Sequence, residues 1–271
     1  MAGLLVLWDV DFTLIKAGPA GRRLYEIAFA DMFGPAEPPA MPPMAGRTDR
    51  AIALEMLARA GVPDPPARIA AWQELMAAHA SEVRDLVRTG GRVLPGAAEA
   101  LAAVSSAAAR AADGAAAGGE RGAGGQNGPV VQSVLTGNIR ELADVKLGAL
   151  GLSRYLDLEA GAYGSVSEVR ADLVAVARGN AAARYQADFA GPATVLIGDT
   201  PLDVEAALLT GARAVGVATG AFTPADLAES GAHAVLPDLT DTPAVLSAIG
   251  GPGFADRVDF SASGTEKSTR S

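Results

Sequence analysis

The sequence contains no cysteine. Disulfides, thiolate–zinc sites, iron–sulfur clusters and a thiol nucleophile are therefore excluded, and the absence agrees with a reducing compartment. Aromatic residues make up only 5% of the 271 residues, too few for a surface that stacks bases. Positive charge is also scarce: 22 Lys and Arg stand against 31 Asp and Glu, a formal net charge of −9. So acidic a chain is a poor general binder of nucleic acid, although a local cation or a metal can still hold a small anion. No apolar run approaches the ~18 residues of a membrane span. The N-terminal stretch MAGLLVLWDVDFTLIK is short, has no basic residue before it and is interrupted by acids. It does not read as a signal peptide, and the cytoplasm is the expected location.

What is present is ordinary globular composition, 49% hydrophobic and 20% charged, in a length that suggests one to two domains at roughly 150 residues each. Residues 4–8 form a continuous apolar run, the pattern of a buried parallel strand. From about residue 19 to 87 the periodic segments read as helices, one of them capped by Thr48, with a proline-rich break at 35–43. After Gly90 and Gly91 the pattern changes. Strands are predicted at 130–135, 194–197, 214–217 and 234–236. They alternate with helices at 96–104, 139–150 (capped by Asn138), 169–185, 202–209, 223–230 and 243–249. The predicted fold class is α/β. Residues 1–17 and 91–250 form a doubly wound, Rossmann-like parallel sheet, with an α-helical cap domain, 18–90, inserted after the first strand. The Ala/Gly-rich stretch 107–128 reads as a flexible surface loop and 251–271 as a disordered tail.

Three motifs stand at predicted strand ends, where open parallel sheets bind ligands. In Asp9-Val10-Asp11-Phe12-Thr13, two carboxylates occupy alternate positions just beyond the first strand, and a turn there brings both to one site. In Gly198-Asp199-Thr200-Pro201-Leu202-Asp203, Asp199 can join them as a hard oxygen ligand for Mg²⁺. Asp203, one helical turn on, reaches back to the same place. Each acid pair alone is also explained by a capped turn or a helix N-terminus. Both together would repel without a cation. Thr136-Gly137-Asn138 offers a hydroxyl and backbone N–H groups at a helix start, a cradle for phosphate, though Asn138 also serves as a plain N-cap.

In this combination the sequence resembles the haloacid dehalogenase (HAD) superfamily of hydrolases. The pattern comprises D-x-D-x-T, a Ser/Thr after a second strand, a Lys/Arg at a later helix and an acidic pair. The resemblance runs to about residue 250, and the helical insertion is similar to the cap of the phosphoglycolate phosphatase and β-phosphoglucomutase-like branch. Phe12 stands where glycine is commonest in that family. The resemblance implies Asp9 as nucleophile and Asp11 as general acid and base. It implies Mg²⁺ held by Asp9, Asp199 and the Asp11 carbonyl with support from Asp203. Thr136 and the following amide would hold phosphate oxygens, with Thr13, Gly137 and Asn138 in the substrate site. For the basic element, Arg170 at a predicted helix start is preferred over Lys146, which reads as a solvated charge in mid-helix. Arg47 belongs to the loop that faces the active site in related caps and is expected to touch substrate.

The implied activity is Mg²⁺-dependent hydrolysis of a small phosphorylated metabolite through an aspartyl-phosphate, with no nucleic-acid or membrane partner. A phosphomutase shares the same catalytic set and remains the alternative. Asp11 argues against a dehalogenase. The lack of any Lys between Lys16 and Lys146 argues against an imine-forming phosphonate hydrolase. A receiver-like phospho-acceptor switch does not account for an acid pair on the first strand followed by a helical insertion.

Overall fold

The computed structural model describes residues 1–116, 128–250 and 254. Strand β1 (Leu4–Trp8) is buried throughout. Its side chains alternate, Leu4, Val6 and Trp8 joining one apolar cluster and Leu5 and Leu7 another. A strand apolar on both faces belongs in the middle of a covered sheet, and β1 lies there. The chain continues through a two-residue strand β2 (Ile15–Lys16) and helices α1 (Ala20–Phe33), α2 (Asp49–Arg59), α3 (Pro65–His79) and α4 (Arg84–Gly90). It returns through β3 (Arg92–Val93), antiparallel to β2, so the two crossings between the parts are tied together. Helices and strands then alternate: α5 (Ala97–Ala116), β4 (Val130–Thr136), α6 (Arg140–Ala149), β5 (Ala162–Tyr163), α7 (Arg170–Tyr185), β6 (Thr194–Gly198), α8 (Pro201–Leu209), β7 (Arg213–Val217), α9 (Pro224–Glu229), β8 (Ala234–Leu236) and α10 (Thr242–Gly250).

The sheet order is β5-β4-β1-β6-β7-β8, parallel throughout. β4 and β5 lie on one side of β1 and β6 to β8 on the other, so the winding reverses at β1, the place where such sheets open a crevice. Register completes the arrangement. Trp8 pairs with Val134 on β4 and with Ile197 on β6. Asp9, Thr136 and Asp199 therefore emerge at nearly one level from three neighbouring strands. Asp9 N–H donates to the Ile197 carbonyl at 2.8 Å.

The inserted helices have their own apolar core, including Leu24, Tyr25, Met56 and Trp72, and that core takes in Ile139, Leu142 and Val145 of α6. The adjoining face of α6 supplies Ala143 and Leu147 to the sheet's cluster. One helix thus serves two cores. The first turn of α2 also docks by backbone on the strand ends: Asp49 N–H donates to the Gly137 carbonyl at 2.6 Å and Arg50 N–H to that of Gly164 at 3.0 Å.

Two expectations need correction. The stretch 107–128 does not begin as a loop, because α5 runs to Ala116. Alanine is the best helix former, and Ala100, Leu101, Val104 and Ala107 give the helix a buried stripe, so low complexity there signals helix. Residues 117–127, and the tail apart from Phe254, lie outside the described residues. The third helical stretch is also broken, with a 3₁₀ turn at Ala80–Val83 between α3 and α4.

Close backbone approach at the docking seam generates a test. A Cβ on Gly164 would collide with the Gly137 carbonyl and sit 2.9 Å from Asp49 N. Overpacking of this kind costs ~1–3 kcal/mol. Gly164→Ala should lower the thermal unfolding midpoint by several degrees. An unchanged midpoint would refute the tight seam.

Candidate active site

Past β1 the chain turns sharply. Leu14 and Ile15 N–H groups donate back to the Val10 carbonyl at 3.0 Å each, and Phe12 takes a left-handed backbone conformation, φ 62°. That region disfavours a non-glycine residue by roughly 1–2 kcal/mol. Phe12 is 43% exposed and lines a cavity of about 230 Å³. The turn brings Asp9 and Asp11 to that cavity together with Thr136, Asn138, Lys146 and Arg170 from the sheet side. Gly21, Met44, Arg47 and Ile52 line it from the helical insertion.

Two charge clusters form its floor. In the first, Arg170 opens α7, buried, and its Nη2 donates to Asp9 Oδ1 at 2.6 Å and to the Leu135 carbonyl at 3.2 Å. The same nitrogen is 2.6 Å from Asp203 Oδ1, an ion pair not aligned as a hydrogen bond, so Asp203 Oδ1 has no hydrogen-bond partner. Its Nη1 donates to the Gly46 carbonyl of the insertion at 3.1 Å. Asp203 is immobilised as the third residue of a capping box. Its Oδ2 accepts from Thr200 Oγ1 at 2.7 Å and from Thr200 N at 3.1 Å. Gly198 makes this possible, since a Cβ there would overlap the Asp203 carboxylate. Thr13, fully buried, donates to Asp199 Oδ1 at 3.4 Å. Its hydroxyl thus supports an acid.

Asp9, Asp199 and Asp203 each place one carboxylate oxygen within 4.8 Å of the others. Three acids share one guanidinium, which leaves a buried excess of negative charge. Burial pushes Asp9 up to about 7, with Asp203 and Asp11 adding to the rise and Arg170 opposing it. Burial likewise pushes Asp199 up to about 8, reinforced by Asp9 and Asp203. Hard carboxylate oxygens, an uncompensated charge and the orphaned Asp203 Oδ1 fit a hard divalent cation such as Mg²⁺. The Asp11 side chain stands outside this group.

Asp11 belongs to the second cluster. Lys146 Nζ donates to Asp11 Oδ2 at 2.6 Å and to Asn138 Oδ1 at 2.8 Å. Asn138 Nδ2 donates to Asp11 Oδ2 at 2.8 Å and to Thr136 Oγ1 at 2.7 Å. Lys146 is only 3% exposed, so its reading as a solvated helix charge is wrong. A signal was available: positions 139, 142, 143 and 146 share one helical stripe, and a lysine in line with Ile139, Leu142 and Ala143 cannot face solvent once that stripe is buried. Asn138 does not cap α6 either. The N-cap position is Ile139, without a side-chain cap, and Ile139 N–H donates to Asp49 Oδ2 at 2.7 Å. Asp49, raised to about 6 chiefly by burial, also accepts from Tyr25 Oη at 2.8 Å. Nothing local marked it, because its partners are 24 and 90 residues away.

Arg47 lies on the cavity wall, but its guanidinium is engaged. Nη1 donates to Glu55 Oε2 at 2.6 Å and to the Pro43 carbonyl at 3.1 Å, and Nη2 to the Ala51 carbonyl at 3.3 Å. A free contact to substrate is not what the geometry presents. Gly137 sits beneath it, where a Cβ would overlap the Arg47 carbonyl.

Residues 172–242 match the HAD-hydrolase-like family model, a span holding Asp199 and Asp203. Among curated proteins, none matches the chain. Solved structures share the fold. A hydrolase from Pseudomonas syringae aligns with a TM-score of 0.56 at 18% identity, covering 88% of this chain and 95% of its own. A haloacid dehalogenase-like family protein from Streptococcus pneumoniae aligns at 0.52 and 14% identity, covering 88% and 95%. A HAD family hydrolase from Deinococcus radiodurans, with bound phosphate and sodium, aligns at 0.50 and 19% identity, covering 95% and 98%. The chain therefore resembles HAD-like hydrolases in fold over most of its length and in sequence over 172–242.

The buried acids make a measurable prediction for the protein freed of divalent ions. Asp199 titrates near 3.8 when exposed and near 8 in the fold. Between those values folding takes up a proton, so stability falls as pH rises from about 4 to 8. Asp199→Asn removes this loss. Its melting temperature should exceed the parent's at pH 8, with the gap closing toward pH 4. Equal melting at pH 8 would show that burial of this carboxylate carries no penalty.

Proposed function

We propose that this protein is a Mg²⁺-dependent phosphatase hydrolysing a small phosphomonoester through an aspartyl-phosphate on Asp9. The observation that carries the reading is Arg170 Nη2 set 2.6 Å from both Asp9 and Asp203 at a cavity whose other polar corner is Asp11, Asn138 and Thr136. Asp9, Asp199 and Asp203 would hold the metal, which would supply positive charge against the phosphoryl oxygens and the acids that flank them. Thr136 and the Gly137 amide that follows it would receive further phosphate oxygens just before α6.

The chain's own groups account for both steps. An Asp9 carboxylate oxygen forms a bond to phosphorus as the bond from phosphorus to the alcohol oxygen breaks. The departing oxygen takes a proton from Asp11. In the second step water attacks phosphorus, Asp11 takes the water's proton, and the Asp9–phosphorus bond breaks to free inorganic phosphate. Arg170 orients Asp9 and faces the charge spread over the equatorial oxygens. Arg47, through its pairing with Glu55, holds the loop before α2 over the cavity and so limits water entry and substrate size. A phosphomutase would need a second phosphate cradle across the cavity. Among the described residues lining that side, the Arg47 and Arg22 guanidinium groups are paired with Glu55 and Glu26, which favours hydrolysis.

Asp9→Asn should abolish release of phosphate from a panel of small esters while keeping the cooperative unfolding transition, and EDTA should abolish wild-type turnover. Metal-independent hydrolysis by the purified protein would defeat the reading. Arg170→Ala should lower kcat by about 10²–10³, with part recovered in Arg170→Lys. A kcat near the parent's in Arg170→Ala would remove that residue from the mechanism.

A further inference from the structure

The buried ammonium of Lys146 has no task in the reaction outlined above. It stands on α6 between the two apolar cores that this helix serves. From the helical insertion Gly21 faces it, where a Cβ would come to 3.9 Å from Nζ. A surface position would spare the lysine its desolvation. A buried ion pair is also weak support for stability in itself. The placement therefore calls for a role beyond holding the fold.

We propose that Lys146 is a positioning residue that restricts Asp11 to delivering its proton from a single oxygen, Oδ1; this rests on the reading of Asp11 as general acid. An ammonium group only donates. The oxygen of the Asn138 amide must therefore face Nζ, at 2.8 Å, and its nitrogen faces the other way. That nitrogen donates to Asp11 Oδ2 and to Thr136 Oγ1. Asp11 Oδ2 thus accepts two N–H donors, from Lys146 and Asn138, and both its lone pairs are engaged. The acid's proton belongs on Oδ1. Thr136 Oγ1 in turn accepts from Asn138 Nδ2 and, at 3.2 Å, from Asn138 N, which leaves its hydroxyl hydrogen to donate to a phosphate oxygen. One cation sets the orientation of both groups.

In the first step the electron pair of the breaking phosphorus–oxygen bond goes to the alcohol oxygen, which takes the proton from Asp11 Oδ1. The carboxylate so formed is stabilised by the ammonium already on Oδ2. A leaving group that departs without a proton gains nothing from this arrangement.

The test uses ethyl phosphate, whose alcohol needs protonation, and p-nitrophenyl phosphate, whose phenolate does not. kcat/KM counts only the steps through departure of the alcohol, so it isolates this proton transfer. Lys146→Met should lower the ratio of ethyl to p-nitrophenyl kcat/KM by about tenfold or more, part of the 10²–10⁴ that a general acid contributes. Lys146→Arg should recover part of it, and Asp11→Asn should show the same signature more strongly. Should Lys146→Met not fold, Lys146→Gln takes its place with the same outcomes. A ratio unchanged in the lysine variant but lowered in Asp11→Asn overturns the proposal alone. A ratio unchanged in Asp11→Asn overturns the acid role of Asp11 and this proposal with it. Equal loss on both esters in the lysine variant makes Lys146 merely structural and also overturns it.

Discussion

Three carboxylates, Asp9, Asp199 and Asp203, are withdrawn from water at the ends of neighbouring strands with one guanidinium, Arg170, among them. Charge buried in that ratio is costly, and much of the local structure serves to hold it in place. The capping box of α8 fixes Asp203, Thr13 supports Asp199, and β6 holds the Asp9 backbone. Gly198 and Gly220 have no side chain because a Cβ at either position would overlap an acid. The raised proton affinities of Asp9 and Asp199 express the same imbalance. A site built this way favours a ligand that brings positive charge.

The helical insertion and the sheet are joined more closely than two chain crossings would require. Helix α6 contributes one face to each core, and its first free N–H is taken by Asp49 of the insertion. Arg170, the cation of the acid cluster, donates as well to the Gly46 carbonyl. Cavity wall, the Thr136–Asn138 turn and the acid cluster are therefore coupled through short backbone contacts. These contacts need glycine at 137 and 164.

Much was legible in the sequence. The apolar run at 4–8, the strand–helix alternation after Gly91 and the acids directly behind apolar strands are local patterns. In a parallel sheet, local pattern and strand-end position together determine where ligands can bind. Strand-end position points to Asp9, Asp11, Thr136, Asp199 and Asp203, and helix-start position to Arg170 over Lys146; the fold brings Asp9, Asp11, Thr136, Asp199 and Arg170 to one cavity, with Arg170 on Asp9. Ala107–Ala116 misled because alanine is ambiguous in composition alone, neutral as loop filler yet strongly helical once one stripe is buried.

What the sequence by itself determined was the order of elements and the chemistry placed at each strand end, because those follow from periods of two and 3.6 residues and from turn residues. Which side chains meet across the cavity was decided only by tertiary structure. Lys146 reaches Asp11 across 135 residues, Asp49 reaches Ile139 across 90, and Arg47 spends its guanidinium on Glu55. The identity of a charged residue does not state its partner. That depends on which faces of α6 are covered and on how closely the insertion packs, and both are properties of the assembled cores.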